Sequence, residues 1–284
     1  MDNNEQVKVV ESVDVLQALN RSEIDLQIAT AKAYPRDLER VSENIRAMAM
    51  FDKETMEACS YALERQDKEG NTKIIEGPSV RLAEICVSQW GNLRAGKRII
   101  SNDGRRITAQ GICFDLENNV AVTIEVQRRI TTNKGFTYSD DMQVLTGNAA
   151  ASIAFRNAVF SVIPKVVVTK VLKEIKSKML ADAQADLAGK RQEVVAWFAA
   201  KTVTEAELCA YLGIRGVGDM TAEHIVKMRG VATAIGEGVT TVEATFRPQA
   251  AEAAPTADEK KETLRAAKVS AKTSGKGNAA PTLL

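Results

Sequence analysis

Residues 120–131, VAVTIEVQRRIT, alternate apolar and polar side chains without a break. Val120, Val122, Ile124 and Val126 fall on one side. Ala121, Thr123, Glu125, Gln127 and Arg129 fall on the other. A period of two is the mark of an extended strand with one face covered. Two segments of the same kind come before it. LRAGKRII (93–100) leads into the turn SNDG (101–104), whose Asp-Gly pair is a hairpin signal. RRITAQGICFDLE (105–117) then places Ile107, Ala109, Gly111 and Cys113 opposite Thr108, Gln110, Ile112 and Phe114. Asn118-Asn119 makes the second turn. Three strands joined by two tight turns predict an antiparallel β-meander.

A three-stranded sheet must bury its apolar face against something else. The next segment supplies a long helix, Met142 to Val162, ended by Pro164. Its small-residue stretch GNAAASIAFRNA (147–158) lets its backbone come close to a neighbour. On the other side of the meander, Gly77-Pro78-Ser79 starts a helix, VRLAEICVSQW, with Val80, Ala83, Val87 and Trp90 spaced for one buried face. Further upstream, Ile24–Ala33 and Asp37–Met50 read as helices broken at Pro35. Phe51–Gln66 reads as another, N-capped by Asp52, with a turn at 67–73. KVVVTKVLKEIKSKML (165–180) starts with β-branched residues and becomes a basic helix.

The expected fold class is therefore α+β. A helical N-terminal part precedes a three-stranded antiparallel meander crossed by a long helix, and a small C-terminal helical unit follows. Residues 1–20 read as a loose lead-in and 21–180 as the α+β core. A polar stretch at 181–191 is the best candidate boundary. Residues 192–246 form the small helical unit, with Thr204 and Glu207 at the two positions of a capping box. Residues 247–284 hold almost no large apolar side chains and are expected to be a disordered tail.

Several chemistries are argued against. There is no GxxxxGK[ST] phosphate loop, no GxGxxG after a strand and no GxSxG. With His224 as the only histidine and no GxSxG, neither a Ser-His-Asp triad nor a Cys-His pair is expected, and a single histidine argues against a zinc site. The four cysteines, Cys59, Cys86, Cys113 and Cys209, form no CxxC pair and sit among apolar neighbours, as reduced buried thiols do. Asp140-Asp141 reads as a helix N-cap and its first-turn neighbour in preference to an acidic metal pair. No enzyme activity, cofactor or metal is expected. The start, MDNNEQVKVVE, is polar and acidic and has no signal-peptide pattern, and no apolar run is long enough for a membrane helix. The expected compartment is the cytoplasm.

Net charge is only +1, but its distribution is uneven. Residues 1–80 carry 10 basic and 16 acidic side chains, and residues 81–178 carry 15 basic and 8 acidic. A basic middle suits a polyanion. It also suits pairing with an acidic surface of the same chain or of a neighbouring subunit. In the meander, Arg94, Lys97 and Arg98 lie on the first strand, and Arg105 and Arg106 start the second. Arg128 and Arg129 end the third, with Lys134 in the following loop. An antiparallel meander gathers the hairpin tip and the end of the third strand at one edge. Arginines there suit phosphate, which is read without regard to sequence. Charge at strand ends also protects sheet edges. A second cluster runs along the basic helix: Lys165, Lys170, Lys173, Lys176 and Lys178. Arg156 sits inside the small-residue helix and needs a carboxylate, a phosphate or water. The 5% aromatic content argues against base stacking as the main mode of binding.

The order helix, meander, long helix, together with GPSVRLAEICVSQWGNL (77–93), AVTIEVQRRIT (121–131) and AAASIAFRNAVFSVIP (149–164), resembles the core of phage single-strand annealing proteins, the RecT, Red-beta and ERF class. The resemblance covers roughly residues 20–180. It implies ATP-independent binding and annealing of single-stranded DNA in phage recombination, by a homo-oligomeric ring or filament in a host cytoplasm. DNA would be held by Arg94, Lys97, Arg98, Arg105, Arg106, Arg128, Arg129, Lys134, Arg156, Lys165, Lys170 and Lys173. It further implies that the C-terminal part meets a phage exonuclease and a host single-strand-binding protein. The alternative is a structural or adaptor protein of phage replication or virion assembly. AYLGIRGVGDMTAEHIVKM (210–228) also resembles a helix-hairpin-helix, whose glycines admit a phosphate to backbone N–H groups. A glycine turn joining two packed helices, with Thr221 as N-cap, accounts for the same residues.

Overall fold

The computed structural model describes residues 21–66, 72–132 and 134–247. The expected lead-in (1–20), most of the turn at 67–73 and the expected tail beyond Arg247 lie outside the described residues. The fold is mixed α+β. Helix α1 (21–33) is followed after Pro35 by α2 (Leu38–Ala49), capped by Asp37, whose carboxylate accepts from the N–H groups of Glu39 and Arg40. Asp52 caps the short α3 (Lys53–Ala58), accepting from the Thr55 N–H at 2.7 Å.

Here the structure departs from the sequence reading. The helix expected to run on to Gln66 ends at Ala58, and β1 (Ser60–Gln66) pairs antiparallel with β2 (Thr72–Pro78). SYALERQ is rich in good helix formers, so local propensity points the wrong way. Packing overrides it: a Cβ on Gly230 of a later helix would overlap Ala62 of β1, so the extended strand lies directly against that helix.

Helix α4 (Val80–Trp90) buries Leu82, Ala83, Ile85, Cys86 and Trp90, a face rotated from the expected one. Val80 and Val87 sit at its margin. The meander is as expected: β3 (Leu93–Asn102), β4 (Arg106–Asp115) and β5 (Val120–Arg129) in the order β3-β4-β5, all antiparallel. The register slips between Ile99 and Ser101, leaving Ile100 as a bulge residue on β3. Helix α5 (Asp140–Val162) lies across the sheet. Ser139 takes its N-cap position, with Asp140 and Asp141 in the first turn. A Cβ on Gly111 would overlap the backbone of Ala154, so β4 and α5 meet backbone to backbone. Here the small-residue stretch has its role.

After Pro164 the chain turns through 114° into α6 (Lys165–Ala185). The 181–191 stretch, expected as a linker, is helical except at Asp186, whose carboxylate accepts from Gly189 N–H and starts α7 (Leu187–Ala199). Ala183 of α6 lies in the same apolar cluster as α7 and the later helices, so this stretch belongs to the packed body. Thr204 and Glu207 form the expected capping box on α8 (Glu205–Leu212). Helix α9 (Ala222–Gly236), capped by Thr221, packs on β1, and α10 (Val242–Phe246) closes the described chain. One cluster joins α2, α3, α4, α6 and the C-terminal half of α5. A second joins β1, the end of α6 and α7 to α9. A third lies between the meander and α5. No single helix among the described residues is long and apolar enough to cross a membrane.

Arg36 ties the N-terminal helices to the sheet. Its guanidinium makes two hydrogen bonds to the Asp115 carboxylate, stands over the Trp90 ring at 5.1 Å and is almost fully buried. Burial raises the Asp115 carboxyl, but the hydrogen bonds from Arg36 and Asn118 outweigh it and hold the group below the usual carboxylate range.

Candidate nucleic-acid interface

Side chains of directly paired residues in an antiparallel sheet point the same way. The register therefore sorts the meander into two faces. Ala95, Lys97 and Ile99 of β3, Ile107, Ala109, Gly111 and Cys113 of β4, and Val122, Ile124, Val126 and Arg128 of β5 face α5. The outer face carries three rows: Arg94, Phe114 and Ala121; Gly96, Ile112 and Thr123; Arg98, Gln110 and Glu125. Beyond the bulge follow Ser101, Thr108 and Gln127, and then Arg106 beside Arg129. Arg98, Arg106, Thr123, Glu125, Gln127 and Arg129 are exposed, so this face is open among the described residues.

Two of the outer-face cations, Arg98 and Arg106, are held by neutral groups. Arg98 Nε donates to Gln110 Oε1 at 3.1 Å, and Gln110 donates onward to Glu125 at 3.4 Å. Arg106 Nη1 donates to Gln127 Oε1 at 3.4 Å. Arg94 reaches Glu23 at 3.2 Å and Gln27 at 3.1 Å on α1. At the hairpin tip, Asp103 accepts from the backbone N–H groups of Arg106 and Arg105. Those bonds hold its carboxyl below the usual range. The loop after β5 folds back on this tip, with Thr137 Oγ1 donating to the Gly104 carbonyl at 3.0 Å. Arg105, Arg106, Arg129 and Lys134 therefore gather at one end of the sheet, as the sequence reading expected.

Other expected site residues are placed elsewhere. Lys97 faces α5, donating to Ser152 Oγ at 3.3 Å and standing over the Phe155 ring at 5.6 Å. Arg128 also lies on the α5 side. Its Nη1 and Nη2 donate to the carbonyls of Gly238 and Val239 at 2.6 and 2.9 Å, and burial lowers its pKa. It is a tie to the end of α9, so the pairing of Arg128 with Arg129 in one surface groove is corrected: neighbours in sequence point to opposite faces. Arg156 is buried over the Tyr61 ring at 4.6 Å, and its Nη1 has no hydrogen-bond partner. On α6, Lys165 is exposed at the N-terminus, Lys170 lines a cleft against α2, and Lys173 lines another against β1 and β2. The α6 lysines thus serve separate surfaces.

The 213–221 turn supports the packing account in part. Thr221 caps α9 and Met220 is fully buried, with its carbonyl accepting from Arg191 Nε at 2.8 Å. Gly213 has a φ of +67° and ends α8. Gly216 and Gly218 have no left-handed φ, and a Cβ on either would meet nothing.

Burial pushes the thiols of Cys59 and Cys86 up to about 12 and that of Cys113 to about 11, so they are poor nucleophiles. Among the described residues no group of three His, Cys, Asp or Glu side chains could hold a metal ion. No protein-family model, curated protein or solved structure matches the chain.

Proposed function

We propose that this chain binds single-stranded DNA through the outer face of the meander and anneals complementary strands without ATP. The observation that carries the reading is the open row of Arg98, Arg106 and Arg129, backed by α5 and interleaved with Gln110, Gln127 and Thr123. The amides of Gln110 and Gln127 orient Arg98 and Arg106 without an ion pair, and amides and hydroxyls suit sugar and phosphate oxygens. Phe114 and Ile112 on the same face offer apolar contact for bases. The element order and phrases shared with the phage annealing class favour annealing as the use of that binding.

A long strand needs more than one such face, so the active form is a homo-oligomer. Strand β3 is an edge strand, and its Ile99 and Ile100 are exposed large apolar side chains. Repeated copies along one strand multiply weak phosphate contacts. The same resemblance assigns an exonuclease and a host single-strand-binding protein to the C-terminal helices.

The test is anisotropy of a labelled oligothymidylate across a salt series, with annealing of complementary oligonucleotides followed in the absence of ATP. Replacing Arg98, Arg106 and Arg129 with Ala should weaken binding and make the salt slope shallower by about 2, given about 0.7 per lost single-strand phosphate contact. A folded triple variant with unchanged affinity and slope would remove this face from DNA binding. Binding without annealing would favour the adaptor reading.

A further inference from the structure

The C-terminal end of α9 meets three groups on three core elements. Glu237 Oε1 accepts from the Val80 N–H at 2.9 Å, at the first turn of α4. Arg156 of α5 attracts the same carboxylate. The two carbonyls that follow, Gly238 and Val239, take both terminal nitrogens of Arg128 on β5. One short segment thus supplies oxygens to a helix N-terminus and to Arg128, and sets a carboxylate whose charge Arg156 attracts.

These are the donors a phosphodiester would use. The N-terminus of an eleven-residue helix presents the positive end of its dipole, and its Val80 N–H is taken by Glu237. Arg156 is more than nine-tenths buried and its Nη1 remains without a partner even with Glu237 nearby, so the protein segment does not satisfy the site completely. Burial raises the Glu237 carboxyl above its usual range, which marks the ionised form as costly there. An open cleft of about 1100 Å³ is lined by Val80, Glu237, Arg128 and Arg129, so access reaches the α4 N-terminus and Arg128, while Arg156 lies outside that lining. The cleft's polar lining includes Gln127, Asn148 and Ser152.

We propose that the α4 N-terminus, Arg156 and Arg128 form a phosphate-binding site for single-stranded nucleic acid that residues 237–239 cover in the free protein. A strand entering the cleft from Arg129 displaces the cover, exchanging one carboxylate and two carbonyls for phosphate oxygens. The inference rests on the single-strand reading above and adds a second, gated contact region to the open outer face. It gives Arg128 and Arg156 a role in binding that their placement in the free chain conceals.

The test uses the full chain, its Glu237→Gln variant and the Glu237→Gln, Arg128→Gln double variant, with a labelled oligothymidylate. Gln keeps an oxygen for the Val80 N–H and removes the competing charge. A site that is mostly covered lowers apparent affinity by the uncovered fraction, so Glu237→Gln should tighten binding by about tenfold. The double variant should lose that gain. Equal affinity of Glu237→Gln and the parent chain overturns the cover while leaving the outer-face reading intact. No binding by any of the three overturns both. Should Glu237→Gln fail to fold, hydrogen exchange of the parent chain decides. Residues 235–242 should exchange faster once oligothymidylate is bound. Slower or unchanged exchange there means a structural tie only.

Discussion

The two sheets of this molecule treat their charges differently. On the β1–β2 hairpin, Glu64 pairs with Lys227 of α9 at 2.6 Å and Glu76 pairs with Lys176 of α6 at 2.7 Å. Carboxylates there meet ammonium groups, and the pairs hold neighbouring helices in place. On the outer face of the meander, Arg98 and Arg106 meet the side-chain amides of Gln110 and Gln127. An amide orients a guanidinium without cancelling its charge. The carboxylates Glu64 and Glu76 of the hairpin are paired inside the fold, and the guanidinium groups of Arg98 and Arg106 on the meander meet no carboxylate at ion-pair distance among the described residues. Charge counts along the sequence do not separate these cases; partners do.

The largest effect should come from removing a compensated charge. Arg36→Ala leaves Asp115 buried without its counter-ion and should destabilise the fold by about 3–5 kcal/mol in chemical denaturation. A loss below about 1 kcal/mol would mean that solvent reaches the pair and that the contrast between the sheets is overstated.

Converting the meander to the hairpin's pattern is the sharper experiment. Gln110→Glu with Gln127→Glu gives Arg98 and Arg106 carboxylate partners across the strands. Stability should hold or rise by about 0.2–1 kcal/mol per pair, while the salt slope of single-strand binding becomes shallower by about 1.4, two phosphate contacts' worth. Undiminished DNA binding by this variant would count against the outer face.

A smaller effect concerns the C-terminal helices. The Arg247 guanidinium, with the Thr204 N–H and hydroxyl, holds the Glu207 carboxyl down to about 2. Its folded value is below the unfolded one, so its contribution is complete above the usual carboxylate range and fades as pH falls toward 2. Glu207→Gln should flatten that part of the acid denaturation curve. An unchanged curve would show that Arg247 does not hold the carboxylate in solution. The smallest effect is expected from Glu76→Gln, which opens an exposed pair and should cost less than about 1 kcal/mol. A larger loss would mean that the β1–β2 hairpin depends on this pair.

The meander and its cover could be read from sequence because period-two alternation and turn signals agree there, and the register follows from both. Arg128 was open to a better reading: parity with Val122, Ile124 and Val126 already puts it on the covered face. What it ties to, 110 residues away, has no local signature. Strand β1 was hidden for a different reason. Tyr, Ala, Leu, Glu, Arg and Gln in succession suit a helix, and the contact with Gly230 that makes them extended comes from the far end of the chain. The 181–191 stretch has a linker's composition, yet Ala, Leu, Lys and Gln are also good helix formers, and burial of Ala183 decides between the two. Glu237 was missed because a lone acid after a helix gives no sign that it caps another helix 157 residues earlier.

Helix α5 has 23 residues, about 35 Å of rod at 1.5 Å per residue. Ala150, Ala151 and Ala154 anchor its middle in the apolar layer under the meander, and Ala158 and Val159 anchor its C-terminal part among α2, α4 and α6. A single rigid element shared by two layers makes them melt together, since neither can lose its packing without pulling the other's beam out of place. Any load on the sheet is thereby borne by the helical layer behind it.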